Sequence, residues 1–395
     1  MTITVVPQDL PESSSREGGS LIYLDVSAAV HRRAGLGRYA ACLACGLAAR
    51  LPGRLALFYN REQGIEPPGE LAYLPARTIA LGYKPWRMLI WAGQLAGMGF
   101  DRLLPGAELF HATEHLLLPL RHVPTVLTVH DLIFHHLPQH HKPLNRWYLR
   151  LTLPLYCRRA DHIIAVSEHT RSDLIRLYRL PPHKISVVYE AADPRFVPQP
   201  AEAVADILRR YGLPERYLLF VGTIEPRKNL PRLLSAFERL YAQRLTDALV
   251  IVGKRGWLYD DFFAALERSP ARAAVLMPGF VPDDDLPALY TGAQALALPS
   301  LYEGFGLPAL EAMATGTPVV CSDRASLPEI VGDAGVLVNP LDVDAISDGL
   351  RRVLCEPDLR SQLRERGLAQ ASRFSWDESA RQTLAVYRKL LPGLS

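Results

Sequence analysis

Two glutamates flank a glycine-rich turn in the stretch EGFGLPALE at residues 303–311. A short apolar run precedes this stretch and predicts a strand, so the turn is expected to connect a strand to a helix. Pro308 predicts the first residue of that helix, because the fixed φ of proline suits this position and its missing N–H is not needed there. Gly316 predicts the helix end. We therefore expect Glu303 in the loop and Glu311 on the first helical turn.

The chemistry of this stretch suits a ligand that carries both phosphate and hydroxyl groups. The turn between Gly304 and Gly306 brings backbone N–H groups to a helix N-terminus, where the helix dipole favours an anion such as phosphate. A carboxylate on each side of that anion can accept hydrogen bonds from hydroxyl groups. These residues therefore predict a ligand with phosphates in the middle and sugars at both ends.

Other glycines and polar or apolar residues lie at the ends of predicted strands. They are Gly35 and Gly37 after LIYLDVS, His130 and Asp131 after TVLTV, Ser167 and Glu168 after HIIAV, Gly222 with Arg227 and Lys228 at the end of YLLFVG and beyond it, and Phe280 and Val281 after AVLMPG. Structural alternatives exist for these positions: tight turns, a helix cap at the serine, a solvated basic pair, and a satisfied polar pair. The GLG triplet does not complete GxGxxG, so no dinucleotide fingerprint is predicted.

The elements around these residues indicate the fold class. Apolar runs of four to seven residues alternate with helical segments along both halves of the chain. This alternation is typical of a parallel sheet covered by helices on both faces. We therefore predict an α/β protein of two doubly wound domains facing a cleft, with ligands at the carboxyl ends of the strands.

Composition is consistent with this prediction. A chain of 395 residues exceeds one ordinary core, and its 49% hydrophobic and 22% charged residues are typical of globular proteins. The 44 basic and 41 acidic residues leave a net charge of +3, which is too balanced to argue for nucleic acid. Five scattered cysteines predict free thiols, including Cys42 and Cys45 in an apolar helical run, and favour a reducing, cytoplasmic compartment. No signal peptide or membrane span is predicted.

The motifs resemble those of glycosyltransferase family 4. EGFGLPALE carries E-x7-E, with FVGTIEPRKNLPRLLSAF before it and LPEIVGDAGVLVNPLD after it. In the first half, GLGRYA, TVHDLIFHHLP and IIAVSEHTRSDL resemble the bacterial mannosyltransferase-B-like branch. The resemblance covers nearly the whole chain after residue 20. It implies a retaining enzyme with two Rossmann-like domains, the glycosyltransferase-B fold.

The resemblance also implies roles for individual residues. Glu303 is expected to contact hydroxyls of the transferred sugar, Glu311 to bind the ribose hydroxyls, and His130 to lie beside the anomeric region. The other implied roles are neutralisation of the diphosphate by Arg227 and Lys228, donor contacts at Gly222, Gly304, Phe305, Gly306 and Leu307, close approach of the N-terminal loop at Gly35 and Gly37, contacts with the base at Phe280 and Val281, and acceptor-side positions at Asp131, Ser167 and Glu168.

Two positions depart from the family pattern. Thr223 stands where many relatives have arginine, which places more of the phosphate binding on Arg227 and Lys228. The stretch YEAAD at 189–193 stands where relatives often have an Asn-Gly turn, so the hinge geometry does not follow from the resemblance.

The domain boundaries follow from composition and from the resemblance. The proline-rich segment 190–203 lacks a clear periodicity and predicts the interdomain linker. We predict a loose tail over residues 1–19, an acceptor-side domain over 20–193 and a nucleotide-sugar-binding domain over 194–373. A C-terminal helix within 374–395 is expected to pack back on the N-terminal domain.

The implied reaction moves a sugar from a nucleotide diphosphate to an acceptor hydroxyl. No nucleophile placed for a covalent intermediate is apparent, so front-face substitution with retention is expected. Arg227, Lys228 and the helix N-terminus can stabilise the leaving diphosphate, so we predict no cofactor and no metal. The acidic runs at 283–285 and 342–344 are interpreted as helix starts. The histidine-rich run 130–141 lacks a cysteine or carboxylate cluster beyond Asp131, which disfavours zinc.

The sequence predicts the donor and the acceptor less specifically than the fold. The branch resembled favours GDP-mannose as donor, with a UDP-sugar as the alternative, and a glycan or lipid-linked acceptor. Aromatic and basic residues mix in 82–104 and 146–160, which predicts either peripheral membrane contact or core helices with basic solvent faces. Two other functions stay open: a nucleotide-sugar epimerase or hydrolase of the same fold, and a non-catalytic nucleotide-sugar-binding protein.

Overall fold

The computed structural model describes residues 5–7, 20–61 and 65–394. The chain divides into two compact units. Unit one comprises Met1–Leu132, Trp147–Glu190 and Trp376–Ser395, and unit two comprises Ile133–Arg146 and Ala191–Ser375. The predicted tail 1–19 lies outside the described residues except for Val5–Pro7, which form a strand.

Unit one contains a sheet of seven parallel strands with one antiparallel strand at its edge. The strands are β1 Val5–Pro7, β2 Leu21–Asp25, β3 Leu55–Asn60, β4 Ala76–Ile79, β5 Ala107–Ala112, β6 Thr125–Val129, β7 His162–Ala165 and β8 Ile185–Val187. Their order is β1-β4-β3-β2-β5-β6-β7-β8, and only β1 runs antiparallel to its neighbour. Strand order therefore reverses between β2 and β5, which is the doubly wound topology.

Helices cover the sheet of unit one. They are α1 Ser27–Val30, α2 Ala34–Ala48, α3 Tyr83–Ala96, α5 Pro143–Arg159, α6 Glu168–Tyr178 and α15 Trp376–Leu390. The first four residues of α5 are grouped with unit two. All six residues of β3 are buried, because helices on both faces exclude water from a parallel sheet.

Unit two repeats the same topology with six parallel strands. They are β9 Tyr217–Val221, β10 Ala248–Val252, β11 Val275–Gly279, β12 Ala295–Leu298, β13 Val319–Ser322 and β14 Gly335–Val338, in the order β11-β10-β9-β12-β13-β14. The helices are α4 Ile133–His136, α7 Ala201–Tyr211, α8 Leu230–Ala242, α9 Asp260–Arg268, α10 Leu286–Gly292, α11 Leu307–Ala314, α12 Leu327–Val331, α13 Val343–Cys355 and α14 Pro357–Ala371. Here strand order reverses between β9 and β12. The two predicted doubly wound sheets are thus confirmed.

The segment Ile133–Arg146 differs from the prediction that it belongs to the N-terminal domain. The ring of His136 stacks on Tyr302 with centroids 5.0 Å apart. The indole Nε1 of Trp257 donates a hydrogen bond of 2.7 Å to the carbonyl of His140. These contacts join residues more than 100 positions apart in the chain, so local patterning could not reveal them.

The C-terminal helix α15 is part of unit one and packs on α2. A Cβ at Gly46 of α2 would lie 2.9 Å from the Cβ of Ala380, so glycine permits this close approach. A buried polar network extends from the same helix. The Tyr387 hydroxyl lies 2.7 Å from Nδ1 of His111, and Nε2 of His111 lies 2.8 Å from Oγ1 of Thr128. Burial lowers the pKa of His111 to about 3, so this ring is neutral and needs both partners.

We expect Tyr387→Phe to lower the free energy of unfolding by about 1–3 kcal/mol, because it leaves a buried ring nitrogen of His111 without its partner. Equilibrium urea unfolding measures the change. Tyr73→Phe is the matched control, since Tyr73 is 67% exposed and its variant should stay close to wild type. Equal stabilities for the two variants would contradict a stabilising role for the network.

Candidate active site

Two loops of unit two lie at the point where strand order reverses. Residues 222–229 follow β9, and residues 299–306 follow the adjacent strand β12. The amide of Leu301 donates a hydrogen bond of 2.7 Å to the carbonyl of Arg227, which joins the loops directly. In doubly wound sheets this is the position at which ligands bind.

Arg227, Lys228 and Glu303 form an ion cluster between these loops. Arg227 Nη1 lies 2.7 Å from Oε2 of Glu303, and Lys228 Nζ lies 2.6 Å from Oε1. Glu225 pairs with the same arginine, with Oε1 at 2.5 Å from Nε. The side chains of Lys228 and Glu303 are only 5% and 8% exposed. Two cations and two carboxylates therefore balance each other in a site that is largely closed to water.

This environment changes how the charged groups titrate. Burial by itself would raise the pKa of Glu303, but the charges of Arg227 and Lys228 lower it to about 2. Burial and the neighbouring Arg227 lower the pKa of Lys228. Burial raises the pKa of Glu225, although both cations oppose that shift. Glu303 is therefore an anion at neutral pH, held by two cations.

Gly222 explains how the Lys228 side chain fits into the loop. Its φ of +151° is one that residues with a side chain rarely adopt, and a Cβ there would lie 3.3 Å from Cε of Lys228. Gly253, which sequence reasoning did not single out, lies against it. With φ +149°, a Cβ at Gly253 would come within 2.0 Å of the Gly222 carbonyl oxygen. Glycine at both positions allows the ends of β9 and β10 to approach.

Asn229 and Ser326 hold the loops in place, and sequence reasoning missed both. Asn229 has a left-handed φ of +60°, and its Nδ2 donates to the carbonyls of Pro299 at 3.0 Å and Pro340 at 2.6 Å. The Ser326 hydroxyl lies 2.9 Å from the carbonyl oxygen of Glu303 and 2.8 Å from that of Phe305. An Asn-Leu-Pro sequence at a helix start was a local signal for Asn229. Ser326 had none.

The turn that begins α11 is displaced from its prediction by one residue. Gly306 is the N-cap with φ +110°, the helix begins at Leu307, and Pro308 is its second residue. Because of this shift, Glu311 is the fifth helical residue and not part of the first turn. Glu311 is 2% exposed, and its Oε2 accepts a hydrogen bond of 2.8 Å from the Tyr290 hydroxyl. The predicted helix end is confirmed, since Gly316 has φ +72°.

The other predicted residues of unit two differ in exposure. Phe280 is 82% exposed just after β11, whereas the adjacent Val281 is buried. Phe305 is buried and packs edge-on against Phe374, with centroids 6.0 Å apart. Leu307 is buried at the start of α11. Of these four predicted residues, Phe280 is therefore the one that is exposed to solvent.

In unit one, His130 follows β6 and is held through both ring nitrogens. Nδ1 lies 2.9 Å from Oε1 of Glu190, and Nε2 lies 2.8 Å from the carbonyl oxygen of Thr113. Burial alone would lower the pKa of His130, but the hydrogen bond and charge of Glu190 raise it above its ordinary value. Because both partners are acceptors, this geometry suits a protonated ring. Glu190 was assigned to the linker, and its role in holding His130 was missed.

The remaining predicted residues of unit one have local structural partners. Ser167 is the N-cap of α6 and accepts a hydrogen bond from the amide of Thr170. This confirms the capping alternative. The Glu168 side chain is half exposed and pairs with Arg171 at 3.1 Å. Asp131 is partly buried beside His130.

Gly35 and Gly37 lie inside α2, whereas the sequence predicted them just before it. The helix begins at Ala34, and a Cβ at Gly37 would come within 2.9 Å of the Ala28 carbonyl oxygen. Gly37 thus permits α1 and α2 to pack closely. Gly35 is exposed on the first turn, where no side chain caps the helix.

A cationic pair at the strand reversal of a doubly wound sheet is typical of α/β proteins that bind anionic ligands at this edge. Comparison with known proteins gives the family. Residues 208–370 match the family model described as glycosyl transferases group 1, and residues 33–196 match that of glycosyltransferase family 4. O-antigen chain mannosyltransferase B from Escherichia coli is 40% identical over 275 residues, which cover 69% of this chain and 72% of that relative. The chain belongs to glycosyltransferase family 4 and is a glycosyltransferase.

Solved structures agree at the level of the fold. Sucrose-phosphate synthase from Thermosynechococcus elongatus has a TM-score of 0.75 at 21% identity, covering 94% of this chain and 99% of that chain. Anabaena Alr3699/HepE in complex with UDP and glucose has a TM-score of 0.71 at 16% identity, covering 93% and 99%. The predicted glycosyltransferase-B fold is therefore confirmed.

We expect the stabilisation that Glu303 provides to depend on pH. Its folded pKa of about 2 lies below the ordinary 4.5, so its ionisation stabilises the fold above pH 4.5 and less as pH falls toward 2. The difference in unfolding free energy between wild type and Glu303→Gln should narrow by about 2 kcal/mol from pH 6 to pH 3. Urea unfolding at both pH values measures it.

The matched control is Glu267→Gln, which removes an exposed carboxylate of α9 that pairs with Arg272. Its difference from wild type should be small at both pH values. A pH-independent difference for Glu303→Gln would show that the ion cluster does not form in solution.

Proposed function

We propose that this glycosyltransferase moves mannose from GDP-mannose to a hydroxyl of a glycan or lipid-linked acceptor, with retention and without a metal. The observation that carries the proposal is the cationic pair of partly buried Arg227 and buried Lys228 at the strand reversal of unit two. The name of the 40% identical relative, O-antigen chain mannosyltransferase B, favours mannose as the sugar. A UDP-sugar is the alternative donor.

The cluster would act by exchanging the ion-pair partner of its two cations. Before the donor binds, Glu303 pairs with both Arg227 and Lys228, and Glu225 pairs with Arg227 as well. The diphosphate would take over as partner of the two cations, which leaves Glu303 oxygens available to hydroxyls of the transferred sugar. As the glycosidic bond breaks, negative charge grows on the diphosphate, and each preorganised donor can stabilise it by about 3–4 kcal/mol. The N-terminus of α11 adds backbone N–H groups.

The remaining donor contacts follow the family roles. Glu311 would bind the ribose hydroxyls and His130 would lie beside the anomeric region. The other proposed donor contacts are Gly35, Gly37, Gly222, Phe280, Val281, Gly304, Phe305, Gly306 and Leu307, with Asp131, Ser167 and Glu168 on the acceptor side. In this scheme the bond from the anomeric carbon to the diphosphate oxygen breaks as the acceptor oxygen bonds on the same face. The acceptor proton passes to the diphosphate.

We expect Glu303→Gln to lower transfer from GDP-mannose to a mannoside acceptor at least 100-fold, because a sugar contact and a charge of the site are lost. GDP should bind to the variant as tightly as to wild type or more tightly, since Glu303 no longer competes for the two cations. Turnover assays in EDTA and calorimetry with GDP measure both effects. Glu267→Gln should match wild type in both assays.

Three outcomes contradict parts of this proposal. Unchanged turnover in Glu303→Gln excludes the role of that carboxylate. A strict requirement for Mg²⁺ or Mn²⁺ excludes metal independence. Thermal stabilisation by UDP-glucose or ADP-glucose without any by GDP-mannose excludes the proposed donor, since a donor at 100 times its Kd adds about 2.7 kcal/mol.

We also propose a peripheral membrane contact through α3 and α5. None of the described helices combines the length and apolar character that a bilayer span requires. On this face of unit one, Trp91 and Trp147 pack edge to face with centroids 5.8 Å apart, and Met88, Leu95 and Trp147 are 50–63% exposed. Exposed basic residues of the same two helices include Lys84, Arg150 and Arg158. Apolar side chains beside basic ones suit the surface of an anionic bilayer.

We expect the protein to float with vesicles of phosphatidylglycerol and phosphatidylcholine, and the double variant Met88→Ser, Trp147→Ser to lose most of that binding. A control double variant, Leu258→Ser with Leu341→Ser, removes apolar side chains of similar exposure from unit two and should float like wild type. Equal flotation of the two double variants would contradict a contact through α3 and α5.

A further inference from the structure

Unit one carries a second polar cluster at its own strand reversal, and the roles proposed above do not use it. Asp25 is the last residue of β2, and Glu114 lies just beyond the end of the adjacent strand β5. Arg33, immediately before α2, completes the cluster. The location matters because the carboxyl ends of strands at a reversal form the ligand-binding edge of such sheets.

The contacts fix each member of the cluster. Arg33 Nη1 donates to Oε2 of Glu114 at 2.6 Å and lies 3.1 Å from the Tyr83 hydroxyl. The guanidinium also stacks over the Tyr83 ring, 3.9 Å from its centroid. Oδ1 of Asp25 accepts a hydrogen bond of 2.8 Å from the amide of Ser27. The guanidinium of Arg33 is therefore paired with Glu114, and Asp25 lies close enough to both for their charges to influence its pKa.

One atom of this cluster lacks a partner. Oε1 of Glu114 makes no hydrogen bond to any residue that the structure describes, although Glu114 is only 1% exposed. An unsatisfied buried carboxylate oxygen is costly, so the site favours a ligand that donates a hydrogen bond to it. The Arg33 side chain is 25% exposed, which gives the cluster an edge at the surface.

The charge balance selects the chemistry of that ligand. Two carboxyl groups near one guanidinium disfavour a phosphate, and the guanidinium already supplies the positive charge that Glu114 would otherwise draw from a cation. Burial and the neighbouring Glu114 raise the pKa of Asp25 to about 7, so Asp25 is partly a neutral acid near neutral pH. A carboxylic acid beside a carboxylate offers one hydrogen-bond donor and several acceptors, which matches adjacent hydroxyl groups.

We propose that Asp25, Arg33 and Glu114 form the binding site for the acceptor sugar, with Oε1 of Glu114 accepting a hydrogen bond from one of its hydroxyls. This inference rests on the proposed function, because it names the site in unit one that recognises the second substrate. Arg33 is a positioning residue that orients the Glu114 carboxylate.

The test measures acceptor and donor binding separately. With GDP-mannose as donor and methyl α-mannopyranoside as acceptor, Glu114→Gln should raise the acceptor KM at least tenfold. The Kd of GDP-mannose, measured by calorimetry, should change less than twofold. The matched control is Glu108→Gln, which removes the same charge near the other end of β5, where Glu108 pairs with Arg54 at 2.6 Å. Its acceptor KM should equal that of wild type.

A direct binding measurement keeps the test independent of turnover. Saturation transfer from wild-type protein to methyl α-mannopyranoside should be present and should be lost in Glu114→Gln. Arg33→Lys should weaken the signal and serves in its place if Glu114→Gln does not fold. Signals that persist in both variants, or an acceptor KM unchanged by Glu114→Gln, overturn the inference. The inference is also overturned if Ca²⁺ binds at Glu114 and displaces the sugar.

Failure of the proposed function would look different. In that case wild-type protein neither binds GDP-mannose nor transfers from it, whereas the sugar signal and its loss in Glu114→Gln would still support the cluster as a sugar site. Normal donor binding and transfer, with no effect of Glu114→Gln on acceptor KM or on the sugar signal, overturns the inference alone.

Discussion

The arrangement of unit two depends on a balance of buried charge. Lys228 is buried and Arg227 is partly buried beside it, and an unpaired buried charge is strongly destabilising. Glu303 and Glu225 supply the compensating charges without a ligand. In the proposed function an anionic donor replaces Glu303 as the partner of these cations, so the ion pairs that stabilise the loops would also be the ones exchanged on donor binding. The glycine at position 222 follows from the same constraint, since it leaves room for the lysine.

The same topology places a different chemistry in each unit. Both sheets reverse strand order once, and polar side chains gather at each reversal. In unit two the cluster is two cations with two carboxylates, which suits a diphosphate. In unit one Arg33 pairs with Glu114 while Asp25 accepts a hydrogen bond from the amide of Ser27, and the His130 ring has hydrogen-bond acceptors at both nitrogens. The equivalent edges of the two sheets thus differ in chemistry: the edge of unit two suits an anion, and the edge of unit one suits hydroxyl groups.

Much of the fold could be predicted because its signals are local. Apolar runs and turn residues indicated two doubly wound sheets. The loop residues Arg227, Lys228 and Glu303 were predicted to bind a ligand at the strand ends. The predicted start of α2 was wrong because Gly35 and Gly37 lie in its first turn, and the low helix propensity of glycine predicts a turn there. There a close approach of α1 outweighs propensity. The partners Glu190 and Ser326 were missed, since their contacts lie 60 and 23 residues away.

The sequence by itself determined the fold class, the family motifs and the residue types available for phosphate and sugar chemistry, because these depend on spacing within short segments. The tertiary structure decided which charges neutralise each other: Glu303 with Arg227 and Lys228, His130 with Glu190, and Arg33 with Glu114. Those pairs join residues 60 to 81 positions apart. They exist only because parallel strands bring the ends of distant segments to one edge of a sheet. Spacing along the chain carries no information about which ends will be neighbours.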